Sequence, residues 1–244
     1  MRYDERVTAI ILKQQAMNEA DVLLTLYTEE YGKLRALATA VRRPSSKLSY
    51  ALQPGSLFEA RLVGRTMHDL LKLAGATPKH IYIRELSEIR GVLLFWIQEV
   101  VLRATPDAET NSTLFKIALE YMQAVGIFSE IYEHSKPLII ATSAQILQAL
   151  GSAVHEPAEE PKFYSVFGGG FFLEPNSADA TAITHDLWER YSKLVRTPLL
   201  EAVSLQTQPE DALLLSVLSR SLEQYIDRTI RTGAFFGGIL NSEA

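Results

Sequence analysis

The spacing of the apolar residues changes near residue 80, and this change most constrains how the chain folds. Before it, five short apolar segments alternate with turns that contain Gly, Pro, Asn or Ser, a pattern typical of β-strands. The predicted strands are residues 7–14, 21–28, 34–40, 57–63 and 68–75. Five short strands in so little chain favour a small closed or half-open β-barrel.

Beyond residue 80 the apolar residues recur at the three- and four-residue spacing of helices. The predicted helices are residues 85–104, 112–125, 135–150, 179–195 and 209–231. Within this part, three consecutive glycines separate two aromatic segments, which favours a β-hairpin near residues 162–174. The sequence therefore predicts an α+β chain of two parts: a five-stranded barrel over residues 1–80, then a mainly α-helical domain with a short hairpin over residues 81–244.

The charge divides in the same way as the secondary structure. Residues 1–80 hold twelve Lys or Arg against eight Asp or Glu, and residues 81–244 hold twelve against twenty-one. The net charge of +4 on residues 1–80 is mild for a nucleic-acid-binding domain. The difference in charge between the two parts nevertheless favours different partners for them. The chain has no cysteine, which excludes disulfides. We find no signal-peptide pattern and no membrane-length apolar stretch, and expect a soluble, cytoplasmic protein without a membrane partner.

Residues 28–47 contain a turn, a strand and a basic loop in succession. Gly32 suits the turn because it adopts positive φ at little cost, and Pro44 ends the strand because it lacks an N–H donor. The loop carries Arg42, Arg43 and Lys47 among small residues. An exposed cationic loop of this kind is suited to a phosphate backbone. The plain alternative is a solvated pair of arginines without a partner.

Five segments of the first part form a recognisable set: Glu19-Ala20-Asp21, residues 27–33, the small-residue run 36–41 that leads into Arg42-Arg43, Ser45-Ser46-Lys47, and residues 51–55. Together they resemble the N-terminal region of the RecO recombination-mediator family. The resemblance is specific over residues 5–75 and weaker beyond. It implies an oligonucleotide-binding (OB) barrel followed by a helical domain. It also implies binding of single- and double-stranded DNA, strand annealing, contact with the acidic C-terminal tail of the single-stranded-DNA-binding protein (SSB), and loading of RecA together with RecR.

Strand annealing needs no covalent chemistry, so contacts should go mainly to phosphates and leave the base edges free to pair. The predicted DNA-binding side chains are Lys33, Arg35, Arg42, Arg43, Lys47, Arg61 and Arg65. The candidates for base stacking are Tyr27, Tyr31 and Tyr50. Arg61 and Arg65 have a plain alternative as solvent-facing residues, and Tyr27 has one as a packed core residue. No catalytic set, metal cluster or phosphate loop has the required spacing, so we expect no enzyme activity.

Many RecO proteins carry a four-cysteine zinc motif, and this chain departs from that pattern. The corresponding places hold Val154, His155, Gly170 and Phe172 or their neighbours. Because structural zinc needs thiolates or clustered imidazoles, we expect no metal and no cofactor. We expect aromatic packing to hold the hairpin instead, through Phe163, Tyr164, Phe167, Phe171 and Phe172.

A second hypothesis belongs to a different functional class. The low pI and the absent zinc motif favour a protein-interaction adaptor that has lost most of its DNA binding. The two hypotheses differ in whether Arg42 and Arg43 matter for binding a single-stranded oligonucleotide.

Overall fold

The computed structural model describes residues 3–43, 46, 48–128, 135–152, 154–227 and 229–232. The chain forms two compact units, Met1–Gly126 and Ile127–Ala244. The predicted fold class is confirmed: a five-stranded barrel is followed by helices and a small sheet. The secondary structure changes from strands to helices after residue 81, whereas the first compact unit extends through two helices to Gly126. The predicted domain boundary at residue 80 therefore matches the change from strands to helices. That residue 80 also divides two folding units stays a prediction.

The strands of the barrel are β1 (Tyr3–Ala16), β2 (Val22–Thr28), β3 (Gly32–Ala38), β4 (Ser56–Gly64) and β5 (Leu71–Ile81). They pair in the order β1-β2-β3-β5-β4, and β4 pairs back to β1 to close the barrel. The β3–β5 pair is parallel and the other pairs are antiparallel. Alternate residues fill the interior, as the period-2 pattern predicts: Leu24, Leu26, Leu34, Phe58 and Leu62 are among those buried there.

The fifth strand is displaced from its predicted place. It was expected over residues 68–75, but it begins at Leu71 and continues to Ile81. Hydrogen bonds from the backbone N and Oγ1 of Thr66 to the Asp69 carboxylate, and from Asp69 N back to Thr66 O, close a turn before the strand. The segment 65–70 is therefore the β4–β5 loop, and His68 lies in it.

Two helices, α1 (Glu88–Ala104) and α2 (Ser112–Ile127), follow the barrel. The first begins three residues after its predicted start because the Ser87 side chain accepts a hydrogen bond from Arg90 N and caps it. The Gln98 side chain donates to the carbonyl of Ile11 at 2.7 Å, so α1 lies against the outside of β1. Tyr27, on the outer side of β2, packs against Phe115 of α2. The outer surface of β1 and β2 is therefore partly covered.

The second unit contains α3 (Ser135–Ala149), α4 (His185–Arg196), α5 (Leu199–Ala202), α6 (Glu210–Ile226) and a sheet in the order β7-β6-β8, formed by β6 (Phe163–Ser165), β7 (Gly170–Phe172) and β8 (Thr181–Ala182). The β6–β7 pair is the expected hairpin.

Two helix boundaries in this unit differ from the prediction by more than one residue. The helix expected from residue 179 begins at His185, where the Thr184 side chain accepts a hydrogen bond from Leu187 N. The last long helix, expected to reach residue 231, ends at Ile226 because Asp227 adopts the left-handed conformation at φ 53°. Within the described residues, no helix has the length and apolar character needed to cross a bilayer.

Candidate nucleic-acid interface

The basic loop begins at a corner held by the β1–β2 loop. Asp21 Oδ1 accepts a hydrogen bond from Ala40 N at 2.8 Å, and Arg42 N donates to Ala20 O at 3.1 Å. The Arg42 guanidinium also donates to the carbonyl of Asn18 at 3.3 Å. Hydrogen bonds from the Asn18 side chain and Ala40 N, with the nearby charge of Arg43, lower the pKa of Asp21. The corner therefore has a fixed backbone from which two arginines project.

Both arginines of this corner are exposed to solvent. Among the described residues, the hydrogen bond of the Arg42 guanidinium goes to a carbonyl oxygen, which does not neutralise its charge. The third cation of the predicted loop, Lys47, lies outside the described residues, as do Pro44 and Ser45. The structure thus brings Arg42 and Arg43 together and leaves the placement of Lys47 as a prediction.

A second cationic surface, here called the β3–β5 face, is formed by Arg35, Leu37 and Lys72 on the strands and by Arg65 in the adjoining β4–β5 loop. Arg35 and Leu37 point outward because Leu34, Ala36 and Ala38 fill the interior. In the parallel pairing Leu37 is opposite Lys72. Arg35, Arg65 and Lys72 are exposed, and within the described part of the chain no hydrogen bond or ion pair involves their side chains. Lys72 was not among the predicted residues, although its alternation with Leu71 and Leu73 indicates an outward position.

Lys33 has a different role from the predicted phosphate contact. Its Nζ donates to the carbonyl oxygens of Leu102 at 3.0 Å and Thr105 at 2.5 Å, and lies 3.3 Å from Asp107. A cation at this point satisfies the free carbonyl groups at the C-terminal end of α1 and opposes the helix dipole. Because the side chain is only 13% exposed, its charge is committed to the fold.

Arg61 also has a partner, on the outer surface of the barrel. Its guanidinium forms two hydrogen bonds with Asp4, at 2.9 and 2.8 Å, and this carboxylate raises the pKa of Arg61. Arg6 pairs with Glu59 at 3.0 Å on the same outer surface of β1 and β4. The surface is therefore charge-balanced, which agrees with the plain alternative for Arg61 as an outward strand residue and makes it a useful control.

The three tyrosines proposed for base stacking lie in different environments. Tyr27 is 0% exposed, and burial raises its pKa to about 12. This corrects its interpretation as a stacking residue, because neither ring face is open to a base. Tyr31 is half-buried and meets the ring of Tyr3 edge-on at 5.8 Å. Tyr50 is 58% exposed and is the most open of the three.

The places where the resemblance implies zinc-binding cysteines are used here for direct packing. The His155 ring stacks on Phe172 with centroids 4.9 Å apart. Its backbone N donates to Gly169 O, and its carbonyl accepts from Phe171 N. A side chain at Gly170 would collide with the His155 backbone, 2.3 Å from its nitrogen. These residues do not fit a zinc ion, and the described residues contain no group of three or more His, Asp or Glu arranged to hold a metal.

The aromatic packing of the hairpin centres on one residue. Phe171 is fully buried and its ring meets those of Tyr164, Trp188 and Tyr191 at 4.5–4.9 Å. Phe167, expected to belong to this packing, is instead 76% exposed. It lies at the turn of the hairpin, where it points away from the packed rings.

A carboxylate that the sequence did not single out fixes that turn. Asp179 accepts hydrogen bonds from Val166 N at 2.8 Å, Phe167 N at 3.1 Å and the Ser165 hydroxyl at 2.7 Å. The Ser177 hydroxyl donates to the same carboxylate. These bonds lower its pKa to about 2, and the bond from Ser177 has the largest effect on the pKa. The prediction missed this residue because it assigned Asp179 to the start of a helix.

Comparison with known proteins agrees with this architecture. Residues 1–82 match the family described as Recombination protein O N terminal. The chain is 26% identical over 196 residues to the DNA repair protein RecO of Exiguobacterium sp., covering 78% of this chain and 76% of that protein. It is 29% identical over 121 residues to RecO of Pelotomaculum thermopropionicum, covering 50% of this chain and 47% of that protein. For RecO of Geobacter metallireducens the identity is 30% over 119 residues, 48% of each chain.

These matches define the first unit as one built on an OB-type barrel. Residues 1–82 are thus similar to the N-terminal region of RecO proteins, the resemblance that the segments between residues 19 and 55 indicated. The match covers about half the length of several of the curated relatives.

Proposed function

We propose that this chain acts in DNA repair and homologous recombination as a non-enzymatic mediator that binds single- and double-stranded DNA and promotes strand annealing. The observation that carries the proposal is the corner at Arg42 and Arg43, two exposed cations on a fixed backbone beside the barrel. Its relatives are named as DNA repair proteins. Phosphate contacts from such a corner position a strand without engaging its base edges, which annealing requires.

The parts of the barrel surface that other residues cover support one route for a DNA strand. OB barrels bind oligonucleotides on the face of strands 2 and 3, between the β1–β2 and β4–β5 loops. Here Tyr27 and Lys33, on the outer side of those strands, are occupied by contacts with residues 102–115. The remaining open positions are the β3–β5 face and the corner at Arg42 and Arg43. We infer that phosphates contact Arg35, Arg42, Arg43 and Arg65, and that Lys72 joins them.

The proposal of particular protein partners is based on the resemblance to RecO proteins alone. We propose that the chain cooperates with RecR, contacts the acidic C-terminal tail of SSB, and helps to load RecA onto SSB-coated single strands. Residues 81–244 have a net charge of −9, so an acidic tail that binds there needs a local basic site.

A protein-interaction adaptor with little DNA binding is the second candidate. It is favoured because two of the predicted DNA-binding cations already have partners within the chain. Lys33 binds carbonyl groups at the end of α1, and Arg61 binds Asp4. With fewer open cations the electrostatic attraction for a phosphate backbone is weaker. The two candidates make opposite predictions for the salt dependence of oligonucleotide binding.

We expect binding of a single-stranded oligonucleotide to weaken steeply with salt, and Arg42→Ala with Arg43→Ala to make that dependence shallower. Each lost phosphate contact reduces the slope of log K against log salt by about 0.7 for single strands, so the double variant should lose about 1.4. Fluorescence anisotropy of a labelled oligonucleotide over a range of NaCl concentrations measures the slope.

The matched control is Arg6→Ala with Arg61→Ala, which removes the same two charges from the paired surface of β1 and β4. We expect its slope to stay close to that of the unmodified protein. Equal losses in both double variants would show a response to net charge rather than to the corner. No binding at low salt would leave the adaptor as the better account.

A further inference from the structure

A cleft of about 290 Å³ opens between β3, the β4–β5 loop and the segment that joins α1 to α2. Its walls are fixed by hydrogen bonds on both sides. Thr66 donates twice to the Asp69 carboxylate in the β4–β5 loop. On the opposite wall, Ala108 N donates to Lys33 O at 2.9 Å, which attaches the α1–α2 segment to β3. The cleft is therefore built into the unit and does not depend on a loop closing.

The lining of this cleft combines three kinds of side chain. Arg35 supplies a cation, and it is exposed. Leu70, 56% exposed, and the half-buried Met67 supply an apolar surface beside the ring of His68. This set matches a nucleotide: apolar and aromatic groups pack against the face of a base, and an arginine donates hydrogen bonds to the phosphate attached to it.

The lining also includes two carboxylates. Asp69 receives its bonds from Thr66 on Oδ2, and Asp107, whose side chain is 72% exposed, meets Lys33 through Oδ1. An ionised carboxylate accepts hydrogen bonds and cannot donate. Cytosine, adenine and guanine each present an exocyclic amino group that donates. Thymine presents one N–H between two carbonyl oxygens, and a carboxylate repels those oxygens.

We propose that this cleft holds one unpaired base of a single strand and prefers a base with an exocyclic amino group to thymine. The proposal rests on the proposed function, because it needs a strand on the β3–β5 face. It goes further by giving the protein a base preference at one position of its footprint. In a homopolymer every register places the same base in the cleft, so the preference appears in the overall affinity.

The test compares oligo(dC) with oligo(dT) of equal length at low salt and mildly alkaline pH, which keeps cytosine unprotonated. We expect oligo(dC) to bind roughly tenfold more tightly, the effect of one hydrogen bond to a charged acceptor. In Asp69→Asn with Asp107→Asn the shapes are kept and the amides donate to thymine carbonyls, so the ratio should fall towards one. The matched control Asp4→Asn with Glu59→Gln removes two carboxylates elsewhere on the barrel and should preserve the ratio.

Each outcome has a distinct meaning. Equal affinities of the unmodified protein for the two oligonucleotides, with a steep salt dependence, would overturn the base preference and leave the proposed function standing. A ratio that persists in the Asp69→Asn, Asp107→Asn variant would also overturn it, since the selectivity would then arise elsewhere. Failure to bind either oligonucleotide at low salt would overturn both proposals together.

Discussion

Asp211→Ala should lower the free energy of unfolding of the second unit by about 3–5 kcal/mol. Asp211 is 0% exposed and forms two hydrogen bonds of 2.8 Å with the guanidinium of Arg190, which is itself 4% exposed. Its carboxylate also accepts from Gln208 N at 3.1 Å. Truncation therefore leaves a buried guanidinium without its counter-charge, which costs far more than the loss of an exposed pair.

Unfolding in urea, followed by tryptophan fluorescence, measures this effect for one unit alone. The chain has two tryptophans, Trp96 in the first unit and Trp188 in the second, so Trp96→Phe leaves a reporter of the second. A unit-specific signal matters because a chain of two units need not unfold in one step.

Two further variants separate the buried charge from the loss of a contact. The combined replacement Arg190→Met with Asp211→Leu should cost much less than Asp211→Ala, because it removes both buried charges. Glu160→Ala breaks the exposed pair with His185 and should leave the unfolding midpoint almost unchanged. The account of the buried pair would be wrong if Asp211→Ala had as little effect as Glu160→Ala.

Phe171→Ala should destabilise the second unit by a similar amount, about 3–5 kcal/mol. Its ring is fully buried among Tyr164, Trp188 and Tyr191, so removing it leaves a cavity bordered by three aromatic rings. Phe167, four residues earlier in the same hairpin, is 76% exposed, and Phe167→Ala should change the stability by no more than about 0.5 kcal/mol.

The same Trp96→Phe background measures both phenylalanine variants, and Trp188 lies 4.9 Å from the Phe171 ring centroid. The comparison tests whether aromatic packing holds the hairpin. Similar shifts for the two variants would contradict it, as would an unfolding midpoint of Phe171→Ala equal to that of the parent.

Local patterns in the sequence were sufficient to predict five strands in order and which residues of β3 face the interior, although they misplaced the fifth strand. Alternation in residues 33–38 places Leu34 and Ala36 inward and Arg35 outward, as the structure has them. That alternation does not reveal which outward residue another element will cover. Lys33 meets carbonyl groups 69 and 72 residues further along the chain, and Arg61 meets a carboxylate 57 residues before it. Contacts at such separations depend on how the elements pack, which no local pattern contains.

The hairpin illustrates the same limit in the second unit. Its glycines and aromatic residues predicted the two strands, but not which phenylalanine faces the core. Phe167 is at the turn and exposed because Asp179, twelve residues later, accepts its backbone N–H and fixes that turn. The periodicity around Asp179 resembles the helix that follows, so its role as an acceptor was not visible in the sequence.

The central claim is that a single strand lies along the corner at Arg42 and Arg43 and across the β3–β5 face. Amide chemical shifts recorded by NMR during titration of the full chain with a single-stranded oligonucleotide test it most directly. The account predicts the largest changes in residues 39–43 and 65–72, with little change in residues 4–8 and 57–61 of the paired surface. Changes concentrated in residues 4–8 and 57–61, with residues 39–43 unaffected, would contradict it.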